Sequence, residues 1–377
     1  MRYLHNTLSI AATLLALCPA TSSVGAAPPA AETCPTVIVP VLSEAPNVDG
    51  GLSDAVWQRA ARLGPFVNIA GGPAKNQTYA RMLRCGPTLY VGFECGLAKG
   101  AELKVEQTSR DGDVWTDESV EVFIDPDLTF HKYRHFIVNA ANVQRDESGD
   151  TFSAPSYDQG WDGTWRSATS RHAGAWYAEL AIPFADLDLD DAAPAVIGLN
   201  VCRNDQTTGD ATCWSPTKSG FHQPLRFGVA SLPDEPLSAG VRLVADATAP
   251  AGLGRAEQKV TVQNVDDTTA RLRGTLIVGD ERTRTARPFK VPPLRPGDER
   301  TLSLPYKVRS PGLNAVLIAA KDSAGRTAAS AKLAFVLPET FRREYGARIP
   351  GGEALGLWWA ESLHKIHRDK PAPSAAR

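Results

Sequence analysis

One short stretch constrains this chain more than any other. Residues 114–126 read VWTDESVEVFIDP, and the second half alternates. Val120, Val122 and Ile124 fall on one face of an extended strand, with Ser119, Glu121 and Phe123 on the other. β-Branched residues at alternate positions suit a pleated surface packed on a core, and Pro126 ends the ladder because it has no N–H to give. An indole at Trp115 and a carboxylate at Glu121 lie at the polar side of the same segment. A flat ring beside a hydrogen-bond acceptor suits a sugar: the ring covers the apolar face of a pyranose and the carboxylate accepts from hydroxyls.

The same kind of strand recurs. Extended segments are expected at 36–41, 77–85, 88–95, 119–125, 133–140, 167–169, 175–182 and 197–203, separated by turns rich in Gly, Pro, Asn and Asp. A second set lies at 241–245, 258–263, 270–278, 284–291, 301–308, 313–320 and 328–337, after a linker at 233–239. The fold class that follows is all-β, with two β-sandwich domains at 36–232 and 240–338. The seven strands of the second have the number and size of an immunoglobulin-like sandwich and almost no aromatic residues, which makes it a spacer. One helix is expected at 53–62, capped by Ser53 with Trp57 turned inward as a core anchor.

The ends read differently. Residues 1–26 have a basic start, an apolar run too short to span a bilayer and a small-x-small site before Ala27, the pattern of a secretory signal peptide. The expected location is secreted or periplasmic, with residues 27–35 a mobile leader. Cysteines in an oxidising compartment pair by default. Cys202 and Cys213 flank a good hairpin turn and form the expected disulfide. Cys34 would pair with Cys85 or Cys95, whereas Cys85 and Cys95 lie too far along one hairpin to pair with each other. The tail, 339–377, carries Trp358 and Trp359, which need cover. With 40 basic against 42 acidic residues the net charge is −2, so nothing asks for nucleic acid or an anionic membrane, and no segment is a membrane span.

Several motifs together resemble the carbohydrate-binding modules of family 9 and their DOMON-like relatives. The segment 114–125 resembles the family's "W…DSVEVF-D", and VDGGLSDAVW at 48–57 its opening "IDGxLDxxxW". LYVGF at 89–93 and WYAELAIPF at 176–184 resemble two further strands. GLNV at 198–201, WSP at 214–216 and PLRFG at 224–228 are similar to the closing ones. The resemblance implies non-catalytic binding of a polysaccharide or oligosaccharide in an aromatic slot, accessory to glycoside hydrolysis. It implies that Trp115 stacks on a sugar, Glu121 accepts from its hydroxyls, Phe221 faces Trp115 and Lys218 donates. The sequence departs from the family where an Arg becomes Ile137, a Gln becomes Cys202, and an Asn-x-x-Trp becomes Lys218 to Phe221. Tyr157, Trp161 and Trp165 could supply another wall, Trp165 being the core candidate. The tail resembles the entry to the catalytic barrel of larger glycoside hydrolases, but 39 residues cannot build a barrel of about 250.

Other chemistries are weaker. The acids Asp111, Asp113, Asp117, Glu118, Glu121 and Asp125 are neighbours in one segment, whereas glycoside hydrolysis needs two carboxyls facing across a cleft about 5 to 9 Å wide. No nucleophile elbow is present. No cofactor is expected, a structural calcium at Asp111, Asp113 and Asp117 excepted. A haem-binding electron-transfer module, which such sandwiches also resemble, would draw on Met82 with His131, His135, His172 or His222. A third reading is a protein-interaction module that has lost its sugar.

Overall fold

In the computed structural model, residues 31–153, 156–172, 174–191, 193, 195–235 and 240–337 are described. The expected signal peptide, the expected tail and most of the expected linker fall outside these residues. Twenty-two strands follow in order: β1 (Glu32–Cys34), β2 (Thr36–Ile38), β3 (Ala61–Leu63), β4 (Val67–Asn68), β5 (Thr78–Cys85), β6 (Thr88–Gly96), β7 (Ser119–Asp125), β8 (Lys132–Asn139), β9 (Gln144–Asp150), β10 (Tyr157–Asp158), β11 (Arg166–His172), β12 (Ala175–Pro183), β13 (Ala195–Asp205), β14 (Asp210–Cys213) and β15 (Gly228–Leu232) in the first half, then β16 (Val241–Ala245), β17 (Gly254–Asn264), β18 (Arg273–Asp280), β19 (Arg284–Lys290), β20 (Glu299–Val308), β21 (Gly312–Lys321) and β22 (Thr327–Leu337). No helix among the described residues is long and apolar enough to cross a membrane.

The first half is a sandwich. Its large sheet runs β10-β9-β8-β7-β13-β14-β4, with β15 and β2 attached beside β13; its smaller sheet runs β11-β12-β6-β5-β3. The alternation of β7 is realised: Val120, Val122 and Ile124 enter one core with Phe136 and Val138 of β8 and Leu199 and Val201 of β13. Met82, Val91, Phe93 and Leu180 close that core from the smaller sheet. Met82 is therefore a core residue, and the haem reading loses its methionine.

Two distant motifs lock together at one edge. The Glu179 carboxylate of β12 accepts from the backbone N–H groups of Asp49 and Gly50, each at 2.8 Å, and from Trp57 Nε1 at 2.7 Å. Gly50 has φ +88°, and a Cβ there would lie 2.5 Å from the Thr169 carbonyl carbon. Trp57 is fully buried, as expected of a core anchor. The expected helix at 53–62 is only a 3₁₀ turn, Ala55–Gln58, and Ser53 does not cap it. Asp54 stands at the cap position and spends its carboxylate on the Asn47 N–H at 2.8 Å. There is no room for a longer helix, because the chain must pair Ala61 with Met82 in β3.

In the second half a sheet β16-β17-β20 faces a sheet containing β22-β21-β18-β19. Val260, Leu304 and Tyr306 meet Leu276, Val316 and Phe335 between them. The expected mobile leader is partly strand. β1 pairs antiparallel with β22 of the second half, and after a single residue, Pro35, β2 pairs parallel with β15 of the first. A third cluster lies between the halves: Leu128, Phe130, Leu225 and Val229 pack against Ile277, Ala315 and Leu317.

Candidate functional site

On the outer face of the large sheet, away from the core, the strands present a row of polar side chains. β7 contributes Glu121, β8 His135, β9 Arg145 and Glu147, and β13 Asn204, following the pairings Phe123 with His135 and His135 with Glu147. His135 is the centre. Its Nε2 lies 2.7 Å from Glu121 Oε2 and its Nδ1 2.9 Å from Glu147 Oε1. Asn204 Nδ2 donates to Glu121 Oε1 at 2.5 Å, and Arg145 donates to Glu147 Oε2 at 3.0 Å. All four of Glu121, His135, Arg145 and Glu147 are buried.

The charges support one another. Burial alone would raise Glu147, but His135 and then Arg145 overcome it and bring its pKa down to about 2. Burial would likewise lower His135, yet the carboxylates of Glu121 and Glu147 hold it above the ordinary imidazole value. Desolvation, followed by repulsion from His135, takes His222 down to about 4.

Trp115 stands at one end of this row. Its indole is 38% exposed, and the Arg145 guanidinium lies 4.6 Å from the ring centroid. At the other end the 215–223 loop folds down over the sheet. Phe221 is buried and meets Phe123 edge to face at 6.2 Å, rather than facing Trp115. Phe123 stacks on the His135 ring at 3.8 Å, and the His222 ring stands perpendicular to His135 at 5.2 Å. Tyr133 Oη is 2.7 Å from His222 Nδ1. Lys218, at φ +79°, donates to the Ala70 carbonyl at 3.1 Å and pairs with Glu32 at 3.3 Å, so it ties down the loop. Glu121 faces no solvent; both its oxygens already accept hydrogen bonds. Trp161 is half-buried under Arg134, Trp165 is buried with its Nε1 on Asp146, and Tyr157 is half-buried near His222.

Cys202 and Cys213 are register partners on β13 and β14, but both are free thiols, as are Cys34, Cys85 and Cys95. The expected disulfide is therefore not formed. The Trp214 N–H bonds to the Val201 carbonyl, which makes 202 and 213 a non-hydrogen-bonded pair with side chains close together. Both thiols are buried, and burial pushes the Cys202 pKa up, which disfavours the thiolate that oxidation needs. Cys34 lies across from Lys332, on another part of the molecule from Cys95 in the first core. Cys85 and Cys95 sit opposite Thr88 and Thr78, at the two ends of one hairpin, as expected.

The calcium set is not assembled either. Asp117 is buried and accepts from the backbone of Glu106 and Gln107 and from Asn139. Asp111 instead joins Asp146 and Asp162, and Arg110 occupies that group, 2.7 Å from Asp146. Glu147 and Arg145 were missed in the sequence. They lie on β9, a strand with no hydrophobic alternation; the run of three charges Arg145, Asp146 and Glu147 is the signal the sequence offers.

A sandwich with an exposed indole at the rim of a buried polar row is thus the class of domain that fold and site define. Residues 48–235 match the model of the carbohydrate family 9 binding domain-like family, so the first half of the chain is a domain of that family. No curated protein matches the chain. Among solved structures it is similar to a protein of Bacteroides uniformis assigned to carbohydrate binding, at 16% identity and TM-score 0.45 over 53% of this chain and 99% of that one. Two others are a family 9 carbohydrate-binding module of Caldicellulosiruptor kristjanssonii with cellotriose and with glucose, each 16% identical over 54% of this chain. They are covered to 95% and 98%, with TM-scores of 0.40 and 0.41.

Proposed function

We propose that the first domain binds a saccharide, without catalysis, on the outer face of its large sheet. Family membership sets the class of ligand, and the exposed indole of Trp115 above a row of hydrogen-bonding groups is the observation that carries the reading. Trp115 stacks on the apolar face of a sugar ring, steadied from the other side by Arg145. Glu121 acts through His135, which it orients, rather than as a free acceptor. Lys218 and Phe221 shape the far wall by fixing the loop. The protein is read as secreted or periplasmic, serving a polysaccharide-degrading system, with the second, immunoglobulin-like sandwich as a rigid spacer.

The test is calorimetric titration of the full mature chain with xylo- and cello-oligosaccharides, each with free and reduced ends. The chain is expected to bind, and Trp115→Ala to abolish binding while changing stability by no more than about 1 kcal/mol, because the ring is partly exposed. Absence of binding across the series, or a Trp115→Ala variant that binds as well as the parent, would overturn the proposed site.

A further inference from the structure

We propose that His135, Glu147 and His222 form a binding site for a divalent transition-metal ion of the zinc type. The inference goes beyond the saccharide reading and does not depend on it. Each of the three offers a ligand atom, and these atoms lie within 4.8 Å of one another. Ligands around a tetrahedral ion with bonds near 2.1 Å stand about 3.4 Å apart. Two of the residues are fixed on adjacent strands, and the third, His222, is exposed and on a loop, where a small rotation closes the remaining gap.

What sets this cluster apart is its outer support. His135 presents Nδ1 to the site, and its Nε2 is held by Glu121, which is itself held by Asn204. Glu147 presents Oε1, and Arg145 fixes Oε2. His222 has Nδ1 on the Tyr133 hydroxyl, so Nε2 is its proposed ligand atom. Every ligand thus has its far atom anchored by a second side chain. That arrangement fixes ring orientation and tautomer in metal centres and strengthens the imidazole as a ligand.

The donor set decides the ion. Two imidazole nitrogens and one carboxylate oxygen suit zinc and its neighbours in the first transition row, not calcium or magnesium, which take oxygen. Phe123 stacked beneath His135 supplies an apolar floor, and the exposed side at His222 leaves a coordination position for water or a ligand hydroxyl. The acidic group Asp111, Asp146 and Asp162 offers no such case, since Arg110 already neutralises it.

The experiment uses the full mature chain, stripped with chelator, and zinc chloride alone, with no saccharide present. Titration calorimetry is expected to give one zinc per chain, and cobalt substitution a visible absorption band of a tetrahedral or five-coordinate ion. His222→Ala takes the Tyr133 hydroxyl's partner away, so it should lower the metal-free melting temperature slightly, leave the chain folded and weaken zinc binding at least tenfold. Glu147→Gln, nearly isosteric, should weaken it similarly. No stoichiometric zinc binding, or His222→Ala and Glu147→Gln variants that bind zinc as the parent does, would overturn the site. Saccharide titrations of the metal-free chain report separately on the sugar.

Discussion

Asp280 shows how one carboxylate can hold a turn. One oxygen accepts from the N–H groups of Arg282 and Thr283, both at 2.7 Å, and the other from the hydroxyls of Thr283 at 2.9 Å and Ser310 at 2.6 Å. Burial works against the charge, but the Ser310 hydroxyl and the two amides outweigh it and hold the carboxyl below its usual 3.8. A depressed carboxylate stabilises the fold fully above its unfolded pKa and loses that contribution as pH falls through the folded value. Asp280→Asn should therefore cost about 1–2 kcal/mol at neutral pH and flatten the loss of stability below pH 4. Urea midpoints at pH 7 and pH 3 for both proteins would check it; parallel acid losses would contradict it. At this scale the candidate site was half legible. The alternation around Glu121 placed it opposite the core, and the indole of Trp115 stood out by its chemistry. The partners of Glu121 did not, because His135 and Asn204 are distant in sequence and come beside it only through strand register.

Among elements, the Asp49-Gly50 turn carries the clearest prediction. A side chain at 50 meets both a left-handed φ and the Thr169 backbone. Gly50→Ala should cost at least about 2 kcal/mol, and Glu179→Ala a similar amount by leaving the Trp57 Nε1 and two amides without their acceptor. Thermal melts of the two single variants and the double would test whether they are one unit: coupling is expected, and simple additivity would separate them. Strands with an apolar face, such as β5 to β8, β17, β18 and β20 to β22, were readable because burial imposes a period of two. Several short elements were not, and three show why. β9 has no apolar residue to alternate, β1 is three residues long, and the 53–62 segment is shortened by tethers that a local pattern does not reveal.

At the scale of the molecule, the two sandwiches share structure. Lys332 of β22 is fully buried and gives its ammonium to the carbonyls of Phe227 at 2.6 Å and Pro224 at 3.2 Å, both in the first half. Its ammonium also lies 5.1 Å from the Phe130 ring centroid, and a Cβ on Gly279 would meet that ring at 2.4 Å. With this contact and the third cluster intact, calorimetry of the whole chain should show one unfolding transition. Lys332→Ala should lower stability by roughly 2–4 kcal/mol and split that transition in two. Two transitions already present in the parent would refute the coupling. Nothing in the sequence announced this, since a lysine in an alternating strand is ordinarily solvated.

The pairing of β1 with β22 also imposes an order in time. During synthesis Glu32 leaves the ribosome early, yet its partner Ala334 is made some three hundred residues later. β2 finds β15 sooner, so the first half can close while β1 still hangs unpaired at its border. Loop length itself adds little to the cost of that late closure, which grows only with its logarithm. The hazard is the wait, because an unpaired edge is a template for a neighbouring chain. A strand of three residues, reading Glu-Thr-Cys, offers that neighbour little to hold. The feature that hid β1 in the sequence is what lets it stay unmatched until the last strand arrives.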